Sequence, residues 1–442
     1  MPRRVWATFR ANLLGDFFWN ALAVGSLQGS LFLGHLLVAR IVGRLEFGNY
    51  AVLLATATAL GAIAQSGLGF VAAKYIAEWH LVDRARAGRV MSLCRFAGLA
   101  LGGTSGAVIM ATSAPIALHL FQRADFSEDL FVLGFATPML ALAAYQQGAL
   151  QGFGAFRAAG ICGAVAALVH VAATVIGAMT AGVFGAISAL VLGAAVRVGL
   201  LALALGYVAR SHDVNAAFWD FKAEARLLWT AGLPAALMGV TVGTAFWIVS
   251  LILLRSPQGA ESVGGFFAAN QLRLLALQLP IVLTGVTVSA LNRMRGRQEW
   301  TSYRSVFMTN LTVNITVAAL IVVCAGLFAD QLLALYGQRF RGSPQILRVL
   351  MISILPELIA SAVFLHVQAR ERMWVSFFFA WLPKDVVFIA GSAVAGVWAA
   401  TAALGTAWSY VAAWTFAAVA FTAIALRLGF EDEPPRPNAS IR

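Results

Sequence analysis

Charge is what this chain is shortest of. Of its 442 residues only 11% are Asp, Glu, Lys or Arg, while 60% are hydrophobic. A soluble globular chain carries roughly a quarter charged residues, so a soluble enzyme or binding domain is excluded. Cysteine is nearly missing. Cys94, Cys162 and Cys324 are far apart and inside or beside apolar runs, which excludes a disulfide framework and a cysteine metal site. Six scattered histidines form no cluster, and no nucleophile–base set or paired carboxylates stand near an interface, so a membrane enzyme has no site. Acids are the rarer charge, 19 against 31 Lys and Arg, leaving a net charge of +12. The basic residues lie between apolar runs rather than in a stripe with interleaved aromatics, which argues against nucleic acid as a partner.

What the chain does have is apolar sequence in runs of about 20 residues or more, enough to cross roughly 30 Å of hydrocarbon. The fold class is an all-α polytopic membrane protein. Twelve spans are predicted, near 17–39, 49–72, 92–114, 130–150, 158–180, 183–208, 229–254, 264–291, 306–329, 346–368, 374–396 and 400–426. The first run lacks a small-residue cleavage site and is long enough to span, so it is read as a span and not as a signal peptide. With the N-terminus in the cytoplasm, 22 Lys and Arg fall on the cytoplasmic side and seven outside: Arg40, Arg44, Arg123, Arg255, Arg339, Arg341 and Arg348. The positive-inside rule then places both termini in the cytoplasm. Arg273 and Lys384 fall inside spans.

Landmarks recur at a nearly constant offset. Arg40 and Arg255 are 215 apart, each with a glutamate six residues on, Glu46 and Glu261. Tyr50-Ala51 and Phe267-Ala268 are 217 apart, Pro138 and Pro356 218, Gln151 and Gln368 217. The chain reads as two six-span halves related by a parallel repeat: an N-lobe at 1–208, a C-lobe at 229–426 and a tail at 427–442 expected to be disordered. The linker 209–228 is amphipathic, with Phe218, Trp219, Phe221, Leu227 and Leu228 among Asp213, Lys222, Glu224 and Arg226, and is expected to lie at the membrane surface. Two lobes imply a cleft that opens alternately to each side.

Specific segments carry more. FFWNALAVGSLQGSLFLGHLLVARIVGRLEFGNYAVLLATATALGAIAQSGLGFVAAKYIAE (17–78), with its Ala-Arg, glycine turn and Glu-Phe-Gly-x-Tyr, resembles the opening of the bacterial polysaccharide flippases of the MATE-like superfamily, which also holds multidrug and oligosaccharidyl-lipid exporters. QQGALQGFGAFR (146–157), AGLPAALMGV (231–240), VGGFFAANQLRLLALQLP (263–280) and LLALYGQRFRGSPQILRVLMISILP (332–356) follow in the same order. The resemblance covers nearly the whole chain, and its strength lies in the order of loose motifs. It implies the twelve-span, two-lobed MATE-like fold and transport of an undecaprenyl-diphosphate-linked oligosaccharide across the inner membrane. Partners implied are that polyprenyl-diphosphate-linked glycan, the lipid bilayer and a polysaccharide polymerase complex. No cofactor is expected, coupling to H+ or Na+ aside. The alternative is an ion-coupled drug or metabolite antiporter of the same superfamily, for which an acid inside an early span is expected; Asp16, the sole acid near span one, sits at the membrane edge.

A diphosphate cannot enter hydrocarbon uncompensated, and a charge inside a span is by default functional. Arg273, with Asn270 beside it, is the first choice for the diphosphate, because guanidinium grips phosphate oxygens in pairs; a structural pair with an acid on another helix is the competing reading. Lys384 joins the substrate-binding set. Glu357 and Asp385, each just after a proline or its neighbour, are the ion-coupling candidates, against a plain ion pair of Glu357 with Lys384; adjacent Lys384 and Asp385 point about 100° apart and need not pair. Asn20, Gln28 and His35 share one face of span one and are assigned to the cleft. Lys74 and Arg293 stand at corresponding cytoplasmic ends, where they would attract the diphosphate or enforce topology. The repeated Arg40/Glu46 and Arg255/Glu261 spacing predicts one bracing ion pair in each half.

Overall fold

Hydrocarbon holds no water to bond peptide groups, so each apolar run must satisfy its own backbone as helix. The computed structural model of the chain describes residues 2–65, 67–215, 224–296, 300–340, 344–369, 373–397 and 402–428; within them, side chains at 2–17, 20, 24, 60, 63–65, 230–231, 234–235, 279, 281–296, 300–307, 365–366, 368–369 and 373 lie outside the description. No strand occurs among the described residues. The helices are α1 (Pro2–Gln65), α2 (Leu68–Trp79), α3 (Arg84–Pro115), α4 (Phe126–Gly152), α5 (Phe156–Ser211), α6 (Leu233–Leu254), α7 (Ala260–Gly296), α8 (Trp300–Leu327), α9 (Ala329–Ala334), α10 (Pro344–Ile352), α11 (Ile354–Ala369), α12 (Met373–Ser376), α13 (Leu382–Gly396) and α14 (Ala402–Leu428).

Among the described residues nine helical stretches are long and apolar enough to cross a membrane. Two of them are too long for one crossing. α5 has 56 residues, about 84 Å at the helical rise, against roughly 30 Å of hydrocarbon. Both α1 and α5 break where the sequence places a connection. Gly43 turns α1 at φ 84°, ψ 174°, and Gly182 turns α5 at φ 57°, ψ −130°, conformations that glycine adopts without a Cβ penalty. α7, of 37 residues, is a further long helix. The count of twelve crossings stays an expectation of the sequence.

The first five helices pack on one another and the last nine do likewise, giving two lobes. Small residues let the first lobe close up. Gly98, Gly102 and Gly106 recur every four residues on α3; a Cβ on Gly102 would stand 2.6 Å from Pro138 Cα of α4, and one on Gly106 2.4 Å from the Gly134 carbonyl oxygen. Lipid gives helices no hydrophobic reason to associate, so close backbone packing of this kind does the work. The linker is stapled to the first lobe. Glu224 is buried and accepts from Arg86 Nε at 3.1 Å and Arg89 Nη2 at 3.4 Å, and Arg84 meets Asp213 at 3.1 Å. Its central residues 216–223, where the amphipathic expectation falls, lie outside the described residues, as does the tail from 429.

The lobes meet along α1, which packs on α6 and α7. Against α6 the contact runs far along the helix. Trp247 Nε1 donates to Thr56 Oγ1 at 3.1 Å, Gly243 lies on Ala59, and a Cβ on Gly67, just past α1, would stand 2.4 Å from the Gly232 carbonyl oxygen. Against α7 the closest approach is at the end holding the Gly43 turn. There a Cβ on Gly48 would lie 1.8 Å from the Ala260 carbonyl oxygen, and one on Gly264 2.5 Å from that of Arg44. Phe47, fully buried, stacks among Tyr50, Phe267, Tyr336 and Phe340. This end of the seam is shut. Farther back along α1, a Cβ on Gly25 or Gly29 would meet nothing within 4 Å.

Gly48→Leu is therefore expected to hold this end open. In a background with Cys94, Cys162 and Cys324 replaced by Ala, a cysteine at fully buried Tyr336 should resist a membrane-impermeant maleimide when residue 48 is Gly and react when it is Leu. Equal labelling in both would show that the Gly48–Ala260 contact is not the seal.

Candidate functional site

Two prolines shape the second lobe's interior. Proline lacks the N–H that a helix needs and crowds the preceding turn. α10 ends and α11 begins around Ser353, three residues before Pro356, with Ser353 fully buried and its hydroxyl turned back to the Leu350 carbonyl at 2.6 Å. Before Pro383 the chain widens into a π-helical turn, Phe377–Trp381; the same step, a π turn at Leu228–Gly232, precedes the α6 start at Leu233-Pro234. Glu357 and Asp385 thereby fall in the first turns of α11 and α13, just beyond these irregular turns.

Arg273 of α7 is the largest fully buried side chain, 1% exposed. Its guanidinium is engaged on three sides. Nε donates to Asn270 Oδ1, one turn earlier, at 2.9 Å; Nη1 donates to Glu357 of α11; Nη2 donates to the Tyr410 hydroxyl of α14 at 3.0 Å. Lys384 donates to Asp385 and lies over two indoles, 5.4 Å from the Trp381 ring centre and 4.8 Å from that of Trp414. Tyr410, which holds Arg273, and Trp414, which underlies Lys384, touch edge to face at 6.4 Å, so the two pairs form one cluster. Two cations and two carboxylates sum to zero, the condition under which charge persists away from water. Asp385 keeps one oxygen, Oδ2, buried without a partner. A proton added to either carboxylate would leave the cluster cationic and release a donor.

The seam carries a second group. His35 of α1 is 7% exposed, with its ring edge-on to Tyr50 at 5.8 Å and to Phe267 of α7 at 5.4 Å. Its Nδ1 is buried without a partner. His170 of α5 stands behind it, its Nε2 3.4 Å from the Cβ position of Gly34.

The structure thus gathers Arg273, Asn270, Glu357, Lys384 and Asp385, and sets His35 apart at the seam. Gln28 is exposed, so the shared face of span one does not share an environment. Lys74 is exposed on α2, 5.1 Å from the Tyr75 ring. Asn20 and Arg293 have side chains outside the described residues. Glu357 pairs with Arg273 rather than with Lys384, and Lys384 reaches its neighbour Asp385 because its four-carbon stem spans the angle between adjacent positions. One expectation is overturned. Arg40 and Glu46 do not pair, nor do Arg255 and Glu261: the Gly43 turn swings Glu46 to Asn49, at 3.1 Å, and Arg123, at 3.9 Å. Tyr410, Trp381 and Trp414 were missed by sequence reasoning, since aromatic residues in apolar helices give no signal of a polar role.

The class this architecture defines is an all-helical polytopic membrane protein of the two-lobed MATE-like fold. The inward-facing structure of a multidrug resistance MATE family transporter of the MOP superfamily is similar to it over 92% of this chain and 94% of that one, at 19% identity and a TM-score of 0.70; the outward-facing structure of such a transporter gives 0.65 at 18%, over 94% and 95%. A MOP superfamily transporter from Pyrococcus furiosus gives 0.65 at 17% identity, over 94% and 95%. The family model described as "Polysaccharide biosynthesis protein" matches residues 13–295, and the chain belongs to that family. No curated protein matches it.

Removing one member of a buried pair costs about 3–5 kcal/mol, because the other charge is left stranded. Arg273→Met should therefore lower the melting temperature in detergent more than the double variant Arg273→Met/Glu357→Leu does. A double variant as unstable as the sum of its singles would show that the pair is not coupled.

Proposed function

We propose that this transporter is a flippase that carries an undecaprenyl-diphosphate-linked oligosaccharide from the cytoplasmic to the outer leaflet of a bacterial inner membrane, for surface polysaccharide biosynthesis. The division into an N-lobe (1–208), a linker and a C-lobe (229–426) belongs to this reading, as do cytoplasmic termini and an outer location for the Gly43 turn. Lobes hinged in this way would expose the interior alternately to each side, with the polyprenyl tail left in lipid. The observation that carries the reading is the charge-neutral cluster of Arg273, Glu357, Lys384 and Asp385, buried in a chain that belongs to a polysaccharide biosynthesis family.

In this reading Arg273 is held by Glu357 until a proton neutralises the carboxylate. The released guanidinium, with Asn270 and Lys384, then takes the diphosphate, and departure of the cargo restores the pair. Asp385 is the second proton or Na+ candidate, through its unpartnered oxygen. Asn20, Gln28 and His35 would line the path on span one, with Lys74 and Arg293 at the cytoplasmic mouth. Moving two net negative charges outward across an inside-negative potential of about 100 mV gains roughly 4–5 kcal/mol, so the potential favours export and exchange of a proton adds to it.

Depletion of the protein in its host should accumulate a lipid-linked oligosaccharide facing the cytoplasm and remove surface glycan, read by a leaflet-resolved assay. Unchanged glycan together with new sensitivity to small toxic cations would replace this reading by a drug antiporter. In proteoliposomes, Arg273→Ala should slow flipping at least about tenfold, the effect of losing one hydrogen bond to a charged group, and Glu357→Gln should abolish any response to an imposed pH gradient.

A further inference from the structure

Basic residues are rare on the side opposite the termini, seven against 22, yet several of them are gathered in one place. Arg123 is paired with Asp125 and Glu46, and Arg348 with Asp330 at 3.6 Å. Arg40, Arg44 and Arg339 instead converge on the shut end of the seam. Arg40 Nε donates to the Leu335 carbonyl oxygen. Arg44 donates through Nε to the Glu261 carbonyl oxygen at 3.1 Å and through Nη1 to that of Arg339 at 3.3 Å. Arg339 Nη1 comes within 4.0 Å of the Cβ position of Gly43. Glu261 acts electrostatically on Arg44; among the described residues no carboxylate lies within ion-pair distance of Arg40 or Arg339.

Arg40 and Arg44 leave the first lobe and bond to backbone carbonyls of the second. A carbonyl is a neutral acceptor, and a guanidinium bonds a phosphate oxygen about twice as strongly. Opening the seam breaks these bonds together and leaves three like charges at its mouth. The loss is smallest if an anion arrives as the carbonyls leave. We propose that Arg40, Arg44 and Arg339 form a phosphate site at the outer mouth of the seam, closed by carbonyl oxygens when the lobes are together and filled by the diphosphate of the emerging cargo when they part. The site draws cargo outward and makes its arrival a condition for opening. The diphosphate assignment rests on the flippase reading; an anionic phospholipid headgroup offers the same chemistry.

The test uses the full chain in phosphatidylcholine nanodiscs, with inorganic pyrophosphate and farnesyl diphosphate as probes. The seam is held open by Gly48→Leu or, independently, by Gly264→Leu, and melting curves confirm folding. In either open background, replacing Arg40, Arg44 and Arg339 together by Gln should weaken probe binding at least about tenfold, the loss expected for one hydrogen bond to a charged group, and replacing them by Lys should weaken it less. Equal affinity with and without the three arginines overturns the site, even if wild-type proteoliposomes flip undecaprenyl-diphosphate-linked glycan. If binding follows the arginines but wild type moves no such glycan, the phosphate site stands and the cargo reading falls. Competition by phosphatidylglycerol would then identify the headgroup as its ligand.

Discussion

Inside hydrocarbon no solvent supplies a hydrogen bond or a counter-charge, so every polar group in this chain must find its partner in the chain itself. That constraint selects helix for each apolar run. It also explains why the departures from helix are so few and so placed. Gly43 and Gly182 break α1 and α5 where the sequence places a connection between apolar runs. Ser353 and the Phe377–Trp381 turn interrupt helices inside the second lobe, and there the first turns of α11 and α13 are occupied by Glu357 and Asp385.

The same constraint organises charge. In the second lobe Glu357 and Asp385 are matched by Arg273 and Lys384, and the spare donors of Arg273 are taken by Asn270 and Tyr410. A neutral cluster of this kind is stable as a whole and sensitive to a single proton, because each change of one charge exposes another. At the mouth of the seam the matching differs. Arg40 and Arg44 are satisfied by backbone carbonyls of the opposite lobe, so their satisfaction depends on how the lobes stand. The first cluster is thus built within one lobe and the second across two.

Much of this was legible beforehand. Apolar runs marked the helices, and the intervals between them marked the breaks at Gly43 and Gly182. The intramembrane charges were legible too, because in an apolar chain Arg273, Glu357, Lys384 and Asp385 stand out by rarity alone. Their pairing was not. Glu357 meets Arg273 across 84 positions and Tyr410 meets it across 137, distances in sequence that no local spacing encodes. The expected Arg40–Glu46 pair, a brace across the turn, failed for a related reason: past Gly43 the chain carries Glu46 to Asn49 and to Arg123, which is 77 positions away.

By itself, then, the sequence determined that the chain lives in a membrane, where it turns, and which few charges it buries, since hydropathy and backbone preference act over one or two helical turns. The tertiary structure alone decided that Arg273 is bound to Glu357 and that Arg40 and Arg44 clasp the opposite lobe. Partner choice is settled by how helices far apart in sequence lie against each other, and that arrangement is set by close packing of small residues such as Gly48 and Gly264, whose effect appears only when the facing backbone is in place.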